Sequence, residues 1–160
     1  MSASAWRRSS RLTKTLGKGS FSTSLGHDLL TNYDFVVDAT DNFEARLAIA
    51  ESCSKHVVPY SHAGILGFTG QTMTVLPGRS VCYRCIFTDA PPDNPTPRGP
   101  IGPLPGVLGS IQATEALKYL VGCGELLTDR LLVYDALSLA FRTVTLRRNP
   151  DCPLCGDLPR

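Results

Sequence analysis

No apolar run in this chain approaches the roughly 20 residues that a membrane helix requires, so a spanning segment is excluded and no membrane partner is expected. Acidic residues are missing from the first 27 positions, where Arg7, Arg8, Arg11, Lys14 and Lys18 stand without a counter-charge until Asp28. The formal net charge of +2 therefore divides into +5 over residues 1–27 and −3 over the remainder. The globular part is mildly acidic and has no clustered basic face, so nucleic acid is not an expected partner. Phosphate-binding glycine turns are also lacking. Gly17-Lys18-Gly19-Ser20 does not have phosphate-loop spacing and follows no apolar strand, and Gly64, Gly67 and Gly70 do not form a dinucleotide fingerprint. Those three read as turn or bulge positions. None of the three histidines lies close to Cys82 or Cys85, which leaves no Cys/His nucleophilic site.

What is present begins with cysteine. Cys82-x-x-Cys85 and Cys152-x-x-Cys155 are two dyads of metal-knuckle spacing in a chain of 160 residues. One dyad alone would fit a redox dithiol or an unrelated turn; two favour a closed tetrahedral Cys₄ zinc site. Such a site leaves the ion no open position, so the zinc is expected to hold structure and to do no chemistry. No secretory signal is recognisable, and a reducing, cytoplasmic compartment is expected. Cys53 and Cys123 fall at or near predicted helices and read as small buried thiols.

The length suits one domain with a real core. Residues 1–29 read as a basic, Ser/Arg-rich, disordered tail, although their composition also fits an organellar transit peptide. Residues 30–160 read as the folded domain. Tyr33–Thr40 has the pattern of a buried strand, and Asp41 followed by Glu44 is a capping-box start for a helix reaching about Lys55. This βα unit leaves Asp41 two roles: helix cap, or a carboxylate at the strand's carboxyl end holding Mg²⁺ on a nucleotide. Further strands are predicted over 57–63, 72–76, 131–134 and 140–146. His62 could line a pocket or be a satisfied structural histidine. From Asp89 to Pro105 the density of proline excludes regular structure, and Val107–Val121 reads as a helix apolar nearly all round, and so largely buried.

The order of motifs resembles a known family. Val37-Asp38-Ala39-Thr40-Asp41-Asn42-Phe43-x-x-Arg46, the two dyads, Gly102–Ala116, Tyr134-Asp135-Ala136 and Arg147–Gly156 look like the carboxyl-terminal half of the ThiF/MoeB/HesA adenylyltransferases, relatives of ubiquitin-activating enzymes. The resemblance covers about residues 30–157. It implies an α/β fold, a partial Rossmann-like domain with a mixed sheet and a Cys₄ zinc knuckle. It also implies ATP and Mg²⁺ as cofactors, and adenylation of the carboxyl-terminal glycine of a small ubiquitin-like sulfur-carrier protein ending in Gly-Gly, serving thiamine or molybdopterin synthesis. Asp41 matches the family aspartate that handles Mg²⁺ and phosphates and is the implied catalytic residue. Asn42 lies beside it near the nucleotide, Arg46 supports the site, and Cys82, Cys85, Cys152 and Cys155 match the zinc ligands.

Departures accompany the likeness. The family's glycine-rich nucleotide turn and phosphate-binding cations are not recognisable in residues 1–32, and the crossover segment 93–98 has no cysteine for thioester or persulfide chemistry. The expectation is half of an adenylating enzyme, inactive as a lone chain, with a sulfur donor on another protein. The alternative is a noncatalytic, zinc-stabilised docking module for the carrier or a partner subunit. The resemblance also implies a homodimer or hetero-assembly through the sheet region, and a sheet without its first strands would leave an unpaired edge that promotes association.

Overall fold

The computed structural model describes residues 30, 32–88 and 99–156. The tail expected at 1–29 lies outside these residues, as do the crossover positions 89–98. Among the described residues, five strands and three helices follow in the order β1 (Val36–Asp38), α1 (Phe43–His56), β2 (Tyr60–Leu66), β3 (Thr69–Val75), α2 (Tyr83–Ile86), α3 (Pro103–Val121), β4 (Arg130–Asp135), β5 (Ala140–Thr145). The strands form one sheet in sequence order, with β1 parallel to β2 and every later pair antiparallel. This is the expected mixed α/β sheet, and α1 makes the one βαβ crossover among the described residues.

The first strand is shorter than its apolar run implies, because Pro59 and the left-handed Val57 (φ 56°) delay the start of β2, its strand partner among the described residues. The helix start also differs from expectation. Asn42, not Asp41, is the N-cap, and its side-chain oxygen accepts from the Ala45 amide at 2.8 Å. An N-cap side chain bonds the amide two or three positions on, and Asn42 to Ala45 satisfies that spacing. Asp41 is thus released from the capping role.

The strands at 57–63 and 72–76 both shift toward the turn between them: Gly67 takes φ 58° in a two-residue hairpin, and Gly64 and Gly70 lie inside strands. At Gly70 the sheet and α3 approach closely: a Cβ there would meet the Leu108 side chain at 3.0–3.1 Å, so Leu108 would have to shift to admit one. Helix α3 starts at Pro103, inside the stretch whose prolines were expected to exclude regular structure. Pro103 and Pro105 occupy its first turn, where amides have no intrahelical partner. The helix is also less buried than its composition implies. Leu104, Leu108, Gln112 and Glu115 face the sheet, whereas Leu117 and Tyr119 are exposed. Cys53 is buried in α1 as expected, but Cys123 is exposed just beyond α3.

Candidate functional site

Two structures on the β1–β2 side of the sheet meet in one core: the cysteine knuckle and the loop that leaves β1. Cys82 precedes the one-turn helix α2, and Cys85 lies within it. The second dyad arrives from beyond β5, where Cys152 and Cys155 bracket a tight turn closed by the Gly156 amide on the Cys152 carbonyl at 2.8 Å. Gly156 admits no side chain, because a Cβ would lie 2.4 Å from the Pro150 carbonyl oxygen. The sulfur separations are 3.7 Å (Cys82–Cys85), 3.6 Å (Cys82–Cys152) and 3.3 Å (Cys85–Cys155), and all four sulfurs fall within 4.8 Å of one another. Four thiolates about 2.3 Å from one tetrahedral ion would sit about 3.8 Å apart. The donor set therefore fits a metal ion. Burial pushes the Cys82 thiol well up and Cys155 to about 11, whereas backbone amides of Leu154 and Cys155 bring Cys152 below its usual range against its own burial. A bound cation would let all four ionise together.

The loop from β1 to α1 is fixed from below and from the side. Asp38, the last residue of β1, is 2% exposed. Its Oδ1 accepts from the Thr40 amide at 2.9 Å and the Thr40 hydroxyl at 2.7 Å, and its Oδ2 receives His62 Nδ1 at 2.8 Å. Burial works against the Asp38 charge, but His62 and Thr40 outweigh it and hold the carboxyl below its ordinary value. Burial lowers His62 below its ordinary value despite Asp38. Near neutrality the pair is thus a carboxylate and a neutral imidazole, with the proton on Nδ1 because a carboxylate can only accept. His62 is the satisfied structural histidine. Gln112 of α3 donates to the main-chain oxygens of Asp38 (2.9 Å) and Ser61 (3.0 Å), locking the helix onto the parallel strand pair.

Asp41 itself is exposed at the carboxyl end of β1, the usual ligand edge of a parallel βα unit. Its only described partner is the Asn42 amide nitrogen at 3.3 Å. Arg46, one turn into α1, turns back and donates to the Thr40 carbonyl at 2.9 Å. The structure therefore brings Asp41, Asn42 and Arg46 to one loop and the four cysteines to one knuckle. Sequence reasoning passed over Asp38, Tyr83, Gln112 and Glu115. The signal for Asp38 was its spacing from Thr40, an Asx-turn pattern. For Gln112 and Glu115 it was their alignment with Leu104 and Leu108 on one helical stripe.

A mixed sheet with a βαβ crossover, a four-cysteine knuckle and an open carboxylate at the crossover's ligand edge defines the class of domain. The ThiF family model matches residues 6–154, and the chain belongs to the ThiF family. It is 45% identical over 135 residues to the SAMP-activating enzyme E1 of Haloferax volcanii, covering 82% of this chain and 50% of that protein. It is 43% identical over 141 residues to the sulfur carrier protein adenylyltransferase of Thermus thermophilus, covering 82% and 52%. The chain thus spans about half the length of these curated relatives. The crystal structure of E. coli MccB with ATP superposes with a TM-score of 0.67 at 18% identity, covering 82% of this chain and 43% of that one, which shows a shared fold.

Proposed function

We propose that this chain forms the metal-knuckle half of an adenylating site that acts, with ATP and Mg²⁺, on the carboxyl-terminal glycine of a small ubiquitin-like sulfur carrier ending in Gly-Gly. The observation that carries the reading is the position of Asp41: exposed at the carboxyl end of β1, relieved of helix capping by Asn42, and set on a loop fixed by Asp38 and Arg46. In the reaction a carrier carboxylate oxygen bonds to the α-phosphorus as the bond to the bridging oxygen breaks and pyrophosphate departs. Magnesium, when bound with ATP, supplies neutralisation of the charge that builds there. Asp41 would hold that ion, Asn42 orders the loop's exit, and Arg46 keeps the loop's backbone in place from behind. At the knuckle, Cys82, Cys85, Cys152 and Cys155 would hold structural Zn²⁺.

The phosphate-cradling glycine turn is not among these 160 residues, so a second segment or subunit has to supply it. A homodimer or hetero-assembly in the cytoplasm is part of this reading, and thiamine- or molybdopterin-type sulfur transfer is its expected use. The names of the Haloferax and Thermus relatives support the substrate class. The test is ATP–pyrophosphate exchange with a Gly-Gly-ended carrier, on the chain alone and on the chain mixed with the first half of the Thermus relative. Carrier-dependent exchange in the mixture, abolished by Asp41→Ala, is expected. Carrier binding without exchange in the mixture would instead establish a docking module without chemistry.

A further inference from the structure

A cationic groove lies at the strand ends opposite Asp41. Because β3, β4 and β5 are antiparallel neighbours, the segment after β3, the residue before β4 and the segment after β5 meet at one pole of the sheet, beside the amino end of β2. There they line a cavity of about 690 Å³ whose charged side chains are Arg79, Arg147, Arg148 and Asp129. Three positive charges thus share the groove with one negative. The arginines come from two distant segments, one shortly before each cysteine dyad, so the cluster exists only in the fold. Arg79 and Arg147 are exposed, and among the described residues neither side chain takes part in a hydrogen bond or ion pair. Asp129, by contrast, is committed. Its Oδ1 accepts from the Val81 amide at 2.7 Å and its carbonyl accepts from the Leu146 amide at 2.8 Å, which clasps the three segments together beneath the arginines.

We propose that this groove is a docking site for an acidic segment of a partner protein, with carboxylates spaced along an extended backbone to meet the guanidinium groups. Guanidinium forks match carboxylates and phosphates alike, so the rest of the lining decides between them. Phosphate sites characteristically aim free main-chain amides at the anion. Here the amides of Arg79 and Ser80 already donate to the Leu76 carbonyl, and those of Val81 and Leu146 to Asp129. A compact phosphate would also meet the Asp129 carboxylate, whereas separate carboxylates can pair with Arg79 and Arg147 and leave Asp129 between them. Among the described residues no aromatic side chain lines the groove, so a nucleic-acid base finds no stacking platform. The site is remote from Asp41, so an occupant there leaves the β1–α1 loop open.

The test is fluorescence anisotropy of a labelled peptide of alternating glutamate and alanine, titrated with the full chain at constant ionic strength. Its counterpart with glutamine in place of glutamate is the neutral control. Saturable binding of the glutamate peptide, weakened by added NaCl and absent for the glutamine peptide, is expected. Arg79→Ser and Arg147→Ser should each weaken it about threefold and the double variant about tenfold, as exposed charge pairs contribute little singly. Arg142→Ser removes the same charge from β5 outside the groove and should change affinity by less than about 1.5-fold, which separates a local site from net charge. Metal content and melting temperature of every variant are expected to match wild type, since the substituted side chains are exposed. Arg79→Ser, away from the second dyad, carries the test if the double variant loses its metal. No saturable binding of the glutamate peptide below about 1 mM would overturn the proposal. So would a loss in Arg142→Ser equal to that in Arg147→Ser. Pyrophosphate or a single-stranded RNA binding more tightly than the peptide, with the same arginine dependence, would also overturn it and make the groove a phosphate site.

Discussion

The two ends of the sheet are built on opposite terms. At the β1–β2 end, α1, the knuckle and the strands enclose Tyr60, Met73, Val75, Cys53 and Tyr83, all at most 2% exposed, and Asp38, Thr40, His62 and Gln112 are bonded in a connected set there, whereas the buried Ser52 and Ser61 hydroxyls have no hydrogen-bond partner. At the β4–β5 end, every residue of β5 is exposed, and the adjoining turn presents Leu137 and Leu139, each 74% exposed. Helix α3 bridges the two, packing Leu104 and Leu108 beside Tyr134 and sending Glu115 to the Thr74 hydroxyl at 2.6 Å, the Leu127 amide at 2.6 Å and the Lys118 ammonium. The lesson is that stability and loop geometry come from one end, and the other end contributes surface. The buried end is also where a metal ion would tie residues 82–85 to residues 152–155, so its order depends on cysteines distant in the chain.

This contrast can be broken hardest at the knuckle. Cys152→Ser is expected to abolish metal binding and cooperative unfolding alike, since metal-binding free energy on the order of 10 kcal/mol is folding free energy in small knuckles; metal content and a melting curve measure it. Gly156→Ala should approach the same outcome, because its Cβ cannot clear the Pro150 and Cys152 carbonyls. Next comes Leu108→Ala at the bridge, expected to cost about 2–5 kcal/mol in denaturant unfolding from the cavity it leaves against Gly70 and Tyr134.

A smaller effect follows from pH. Asp38 and His62 both have folded pKa values below their ordinary ones, so the unfolded chain binds more protons than the folded chain through each group's window. Stability is therefore expected to fall as pH drops below about 6.5, through His62 first, and further below about 4, through Asp38. Thermal melts of wild type and His62→Gln should diverge in the upper window, with the variant's slope flatter there. Equal slopes would mean that His62 titrates alike in both states. The smallest effect belongs to the open end: Val144→Thr is expected to shift unfolding by no more than about 0.5 kcal/mol, as exposed substitutions do. A larger loss would mean that β5 carries more of the fold than its exposure implies.

Much of the buried end was legible in the sequence because its signals are local. Dyad spacing located the four cysteines, and the apolar run before Asp41 located β1 and the crossover. The N-cap was misplaced by one residue, because Asp41 and Asn42 are both good caps and only the backbone decides which amide is in reach. The start of α3 was missed because proline forbids a helix interior but not its first turn. The Asp38–His62–Tyr83 set was not legible at all, since its members lie 21 to 45 positions apart and meet only through the sheet register and the knuckle. Helix α3 was read as largely buried because composition does not show which apolar residues face a sheet; Leu117 and Tyr119 face outward instead.

The most direct measurement is the mass of the carrier after incubation with ATP, Mg²⁺ and this chain mixed with the relative's first half, comparing wild type with Asp41→Asn. An adenylyl group on the carrier's terminal glycine that forms with wild type, and at least about a hundredfold more slowly with the variant, is the expected result, a loss of the size that follows removal of one group stabilising transition-state charge. Equal adenylation by both would contradict the assignment of Asp41 and with it the central claim.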